Sequence, residues 1–356
     1  MAYTTIDDPS AHFQTVLYTG TGSARSVTNN GNSDLQPDLV WAKNRNDSYD
    51  HVLADSNRGT TKTIFSSQSW AETTNTNALS SFDSNGFSIG GNSGGWNFSS
   101  AKTYVAWQWK ANGGTTSSNT DGSLTSTVQA NTDAGFSIVT YSNPSTANNT
   151  IGHGLGVQPE VIIFKNTVDV VDWHVASKYL TNYRTYGMQL NSDNSQAIYS
   201  NAMNSTEPTS SVFSVGGISR TGDNGNEVVA YCFASKQGYS KFGKYVGNGS
   251  TTNGPFVYTG FKPAFVMIKA INATKNWVMV DNKRIIVNGD VYLLYANTNG
   301  AEVQSPSSGA HIDLLSNGFK IYDNWTLTNQ NGVSYLYMAF AENPFVTSTG
   351  IPTTAR

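Results

Sequence analysis

The sequence predicts an all-β protein built from three tandem β-sandwich or jelly-roll-like units related by an internal repeat. Three observations carry this expectation. A short apolar strand with a Pro before it and a Lys after it is written three times, at residues 37–43, 159–165 and 263–269. The strands flanking each copy recur in the same order. Strong helical periodicity is absent, while Gly, Asn, Ser and Thr are abundant and aromatics reach 12%, a mixture that suits short strands joined by polar turns. Matching flanks make the repeat far more than a three-residue coincidence.

The elements follow in order within each unit. An opening strand begins with Phe at Phe13, Phe136 and Phe242, at 24, 23 and 21 residues before the Pro (37−13, 159−136, 263−242). The apolar run itself (Leu39 to Ala42, Val161 to Phe164, Phe265 to Ile268) does not alternate, which fits a strand covered on both faces. A middle strand led by His51, Trp173 or Trp277 ends 12 residues after the Lys in every copy, at Asp55, Ser177 and Asp281. In the first and third units an Asn-Gly turn, Asn85-Gly86 and Asn317-Gly318, opens an alternating strand and reads as a hairpin. Closing aromatic strands run over 104–109, 228–233 and 337–341.

These elements divide the chain into an N-terminal arm (1–10), repeat 1 (11–114), a Ser/Thr-rich linker (115–130), repeat 2 (131–240), repeat 3 (241–345) and a C-terminal tail (346–356). The linker reads as flexible. Units two and three, joined without one, are expected to pack rigidly, with unit one attached more loosely.

Composition narrows the function. Charged residues are 13% and the net charge is −3, which argues against nucleic-acid binding through a basic patch. No apolar run reaches the length of a membrane span. The N-terminus lacks the basic and apolar regions of a secretory signal, so the protein is expected to be made in a cytoplasm. The single cysteine, Cys232, sits in an apolar strand and reads as a small core residue.

No catalytic constellation is marked. A glycosidase needs two carboxylates in a cleft, yet the acids sit mainly in turn-like stretches, and Glu227 and Glu342 have no repeated partner. His12, His51, His153, His174 and His311 are scattered and lack metal-ligand spacing. No Gly-x-Ser-x-Gly elbow occurs. Residues 221–227 hold oxygen ligands of the kind Ca²⁺ takes but lack the EF-hand alternation, so a hairpin turn is the better reading. No cofactor, metal or enzymatic activity is expected.

The candidate ligand-binding residues are few. Asp55 and Arg58 recur as Asp281 and Arg284, at the same spacing after the middle strand, where unit two has Ser177 and Leu180. They read either as a polar ligand site or as a turn held by an Asp–backbone bond and a local ion pair. Trp41, Trp107, Trp173 and Trp277 lie on repeat strands and are assigned to the core. Trp70, Trp96 and Trp325 lie in polar segments and are the candidates for exposed contact with glycans or neighbouring subunits.

Residues 37–110, with Asp55-Ser56, Arg58-Gly59, Ser81 to Phe87 and Tyr104 to Lys110, resemble a repeat of virion structural proteins from marine tailed bacteriophages, as do residues 152–160 and the ending 337–345. The resemblance implies a concanavalin-like sandwich and a structural place on the virion, and it transfers no catalytic residues. It leads to a non-enzymatic virion structural protein displayed on the particle surface, assembled in the host cytoplasm. The role is a tail- or fibre-associated host-adhesion component or a capsid decoration protein held by its terminal segments. Expected partners are other virion proteins, copies of the chain in a homo-oligomer and a host surface glycan, with no nucleic acid and no membrane insertion. The alternatives are a free carbohydrate-binding module and, requiring a carboxylate pair the sequence does not mark, a polysaccharide depolymerase.

Overall fold

Three large antiparallel sheets organise the computed structural model, which describes residues 2–99, 101–144, 148–284, 291–304 and 312–353. The first contains β1 (Phe13–Thr19), β2 (Leu39–Asn44), β3 (Val52–Asp55) and β4 (Thr103–Trp109) in the order β1-β4-β2-β3. The second contains β5 (Ser117–Asn119), β6 (Ser126–Asn131), β7 (Phe136–Asn143), β8 (Val161–Asn166), β9 (His174–Ser177) and β10 (Asn226–Phe233) in the order β5-β6-β7-β10-β8-β9. The third contains β11 (Ser240–Val246), β12 (Phe261–Ala270), β13 (Val278–Asp281), β14 (Tyr292–Tyr295), β15 (Val303–Gln304) and β16 (Ser334–Pro344) in the order β11-β16-β12-β13-β14-β15. Opening, closing, apolar and middle strands lie side by side in that order in all three.

The apolar runs become strands covered on both faces because each sheet has two partners. β2 and β8 are buried at every residue. Along β2, Val40 and Ala42 pack outward against a small sheet of Arg25–Thr28, Leu79–Asp83 and Gly86–Ile89. Leu39 and Trp41 face inward, into a core shared by all three units. The other two large sheets cover their outer faces in the same way. Each unit is therefore a β-sandwich, and the inner faces of the three meet. At the meeting point the Phe13 ring stacks on Phe340 at 5.3 Å, and Phe233 meets Phe340 edge-on at 5.9 Å.

Backbone bonds close the three units into a ring. Glu72 N–H of unit one donates to Thr167 O of unit two, Gln196 N–H of unit two to Ile271 O of unit three, and Glu302 N–H of unit three to Arg45 O of unit one, each at 2.8 Å. These six residues occupy corresponding places after the middle and apolar strands.

The structure corrects several sequence-based expectations. Residues 115–130 are not a flexible linker: they carry β5 and β6, which extend the second sheet by pairing with β7. Unit one is not loosely attached, since Phe13, Trp107 and Trp109 pack directly on Phe265. Strand pairing places Ser240, not Phe242, at the position of Phe13 and Phe136, opposite Phe340, Trp109 and Phe233 respectively. Phe242 lies two residues further on and keeps the same inward face. The N-terminal arm is folded onto the body rather than extended. Ile6 enters the shared core, and Asp8 caps a short 3-10 turn, Pro9–Ala11. The tail lies beside it, with Ser348 N–H donating to Asp7 Oδ1 at 2.6 Å. His311 and tail residues 354–356 fall outside the described residues.

Candidate functional site

The repeated Asp–Arg pairs sit at the seams between units, and their geometry is closed. Asp55 ends β3, and the turn after it brings Arg58 back: Arg58 N–H donates to Asp55 Oδ1 at 2.9 Å and Arg58 Nε to Asp55 Oδ2 at 2.6 Å. Arg58 Nη1 reaches Glu72 at 2.8 Å. From the neighbouring unit, the Tyr231 hydroxyl on β10 donates to Asp55 Oδ2 at 2.7 Å. The third unit repeats the set. Arg284 Nε meets Asp281 at 2.7 Å, Arg284 Nη1 meets Glu302 at 2.8 Å, and Trp107 Nε1 of unit one donates to Asp281 at 2.9 Å.

The side chains of Asp55, Arg58, Asp281 and Arg284 are buried, and burial alone would lower the Arg58 and Arg284 pKa values. The neighbouring anions outweigh it and raise both. A carboxylate whose oxygens are used by a guanidinium, a backbone amide and an aromatic donor has no face left for a ligand. Asp55, Arg58, Asp281 and Arg284 are thus seam clasps rather than a ligand site. Unit two has Ser177 and Leu180 at these places, and Met338 of β16 occupies the position of Trp107 and Tyr231. Acid, base and aromatic donor are absent together from those three places, and Leu180 and Met338 are both in the shared core instead.

Of the three lysines that end the apolar runs, two reach across a seam, and Lys43 donates to Asn44 O and Asp47 O of its own unit. Lys43, Lys165 and Lys269 are fully buried. Lys165 Nζ donates to Ser69 O of unit one at 3.2 Å, and Lys269 Nζ to Asp193 O of unit two at 3.2 Å. Burial lowers their pKa values, to about 8, 8 and 7 respectively. Trp173 Nε1 likewise donates to Phe65 O, and Trp277 Nε1 to Gln189 O, each across a seam.

The tryptophan candidates separate. Trp96 is 1% exposed and packs inside the first sandwich, so it makes no surface contact. Trp325 is half-buried against the third sandwich. Trp70 is exposed at 46% and stands edge-on to Phe65 at 5.4 Å. Cys232 is buried, and burial raises its thiol pKa. Among the described residues no group of three His, Cys, Asp or Glu side chains is placed to hold a metal ion.

Two clefts open where units meet. One, of about 350 Å³, lies between units two and three beside Glu160, Tyr179 and Lys241. The other, of about 280 Å³, lies between units one and three beside Thr15, Asn282 and Lys283. Sequence reasoning missed both clefts, although aligning the middle strands places Asn282 with Ser56 and Lys283 with Asn57 and so offered the signal.

A family model described as Domain of unknown function (DUF7483) matches residues 8–344, and the chain belongs to that family. No curated protein and no solved structure matches the chain.

Proposed function

We propose that this member of the DUF7483 family is a non-enzymatic structural protein on the outside of a bacteriophage virion, serving as a capsid decoration protein or a tail- or fibre-associated adhesion component. The observation that carries the reading is the closed ring of three sandwiches in one chain. Such a body presents three similar faces about one pseudo-threefold axis, and it matches a seat of threefold symmetry such as a lattice point of a shell or the end of a trimeric fibre. The charged side chains of the repeat are used to hold the ring together, which supports a structural role. The sequence motifs resembling phage virion repeats point the same way. Residues 2–10 and 346–353 fold on the body, so attachment is assigned to the faces of the sandwiches.

A free glycan-binding module is the second reading, favoured by the exposed Trp70 ring. The test is location: gold label on the C-terminus of the chain, imaged by electron cryo-microscopy on intact particles. Label over the head or at the tail supports a virion role and chooses between decoration and adhesion. Particles without label, together with specific glycan binding lost in Trp70→Ala, would reject the virion role in favour of the free module.

A further inference from the structure

The three seams present three comparable grooves, each between the opening strand of one unit and the turn after the middle strand of the next. They have three different fates. At the seam of units two and one, the groove along β7 is filled by this chain's own β6, which pairs antiparallel with β7 from Asn131↔Phe136 to Thr127↔Thr140. Unit one grips the added strand with two side chains. Ser56 Oγ donates to Gln129 Oε1 at 2.9 Å, and Asn57 Nδ2 donates to Thr127 O at 3.0 Å.

At the seam of units three and two, the edge strand β11 carries Lys241 and Lys244, a charge pattern that discourages strand addition. Tyr3 also closes on that groove, its hydroxyl donating to Gly260 O at 2.7 Å. The groove of units one and three is different. β1 is the terminal strand of its sheet and, among the described residues, pairs only with β4. Its sequence, Phe-Gln-Thr-Val-Leu-Tyr-Thr, carries no charge. Leu17 on it is 38% exposed. Beside it lies the 280 Å³ cleft, and two of the residues lining it each carry a polar atom buried without a partner, Thr15 Oγ1 and Asn282 Oδ1. Register makes Thr15 the counterpart of Ile138, the residue opposite Gln129. Asn282 is the counterpart of Ser56, which holds Gln129.

We propose that the outer edge of β1 is a docking site for one extended segment of a partner polypeptide, added antiparallel and carrying an amide side chain opposite Thr15. The occupant has the chemistry of β6: small alternating residues around one Gln or Asn. Its amide hydrogens go to Asn282 Oδ1 and Thr15 Oγ1, whose burial without partners is otherwise unfavourable. Lys283 stands where Asn57 donates to the β6 backbone and offers its ammonium to a carbonyl of the added strand. Strand addition supplies main-chain hydrogen bonds for affinity, and the amide supplies selectivity. The proposal concerns a surface and holds wherever the protein is located.

The test uses the full chain and a fluorescent synthetic peptide of residues 122–133 as the probe. Saturable binding at one site per chain is expected, with hydrogen exchange slowed at residues 13–17. Gln129→Leu in the peptide and, separately, Leu17→Lys in the protein are each expected to weaken binding at least tenfold. The Leu17→Lys protein should melt at the wild-type temperature. Absence of saturable binding at millimolar peptide, protection at β7 or β11 instead of β1, or indifference to both substitutions would overturn the proposal. A dimer in sedimentation that Leu17→Lys abolishes would overturn it as well, by making a second copy of β1 the occupant.

Discussion

Asp55 and Arg58 show how far one pair of residues is committed to the seam. Their spacing was legible because it recurs as Asp281 and Arg284, and the local ion pair was one of the two readings the sequence allowed. The aromatic donor from the next unit was not legible, because nothing local marks Tyr231 or Trp107 as a partner 176 and 174 residues away. Removing one member of a buried charged set leaves the rest unpaired, so Asp55→Ala is expected to cost about 3–5 kcal/mol in denaturant unfolding. The seam that lacks the set shows the alternative. The triple variant Asp55→Ser, Arg58→Leu, Tyr231→Met is expected to fall within about 1 kcal/mol of wild type, since apolar replacement of a whole buried ionic set is near neutral. A triple variant as damaged as the single one would mean that the clasp contributes more than its mutual compensation. Titration adds a second prediction at this scale. Burial holds His153 near about 4 and His174 near about 3, and pushes His51 well down. The unfolded chain therefore binds more protons below about pH 6.5, and stability falls on acidification. The lysines, lowered to about 7–8 in the fold and about 10.4 when unfolded, act in the same sense at higher pH. Stability rises from about pH 7 to about 10 as the unfolded chain alone keeps its protons. Above about 10 the direction reverses, because burial raises Tyr335 and Tyr337 to about 12 while unfolded tyrosines ionise. Thermal midpoints from pH 4 to 11 should peak near about pH 9–10, and a midpoint that falls between pH 7 and 9 would reject the lysine assignment.

At the scale of elements, the apolar runs and the closing aromatic strands were readable because unbroken Val, Ile, Leu and aromatic residues fit a doubly covered strand. β6 was not readable. Its sequence, Ser-Thr-Val-Gln-Ala-Asn, carries one strongly apolar residue, and Thr and Ser suit a strand near the margin of a sheet as well as a linker. Tertiary pairing decides the matter: Val128 enters the second sandwich core at 3% exposure, and Gln129 is buried against Ser56. Val128→Asp places a charge in that core and removes an apolar side chain, so the expected loss is at least about 3 kcal/mol. Hydrogen exchange should then accelerate along β7, whose outer edge loses its cover. A loss below about 1 kcal/mol, or exchange on β7 unchanged, would mean that β6 rests on the sheet without stabilising it. The register of β11 was misread for a related reason. Phe242 and Ser240 point to the same face, so the sequence pattern places a Phe on the right side of the strand without fixing which of the two positions it fills.

For the whole molecule, the all-β class was readable from the sequence, and the arrangement of the sheets was not, because ring closure depends on contacts between residues 75 to 257 positions apart (271−196 and 302−45). The arrangement has a thermodynamic consequence. Three sandwiches threaded like beads would each keep a private core and melt separately. Here Phe13 and Trp109 of unit one, Phe136 and Phe233 of unit two, and Phe265 and Phe340 of unit three share one core. Unfolding any unit strips the inner faces of the other two. Calorimetry of the full chain is therefore expected to show a single transition with equal calorimetric and van't Hoff enthalpies. Trp109→Ala, costing about 3–5 kcal/mol, should lower that one midpoint rather than split off a melt of unit one. Excised residues 115–240 number 126 (240−115+1), enough for an ordinary domain. They would nevertheless expose Ile138, Ile163, Val175 and Tyr231, and the piece is expected to precipitate or to assemble into trimers that rebuild the ring. A soluble excised monomer with cooperative melting, or three separate transitions in the full chain, would show that the outer sandwich cores suffice alone and that the shared core joins units already stable without it.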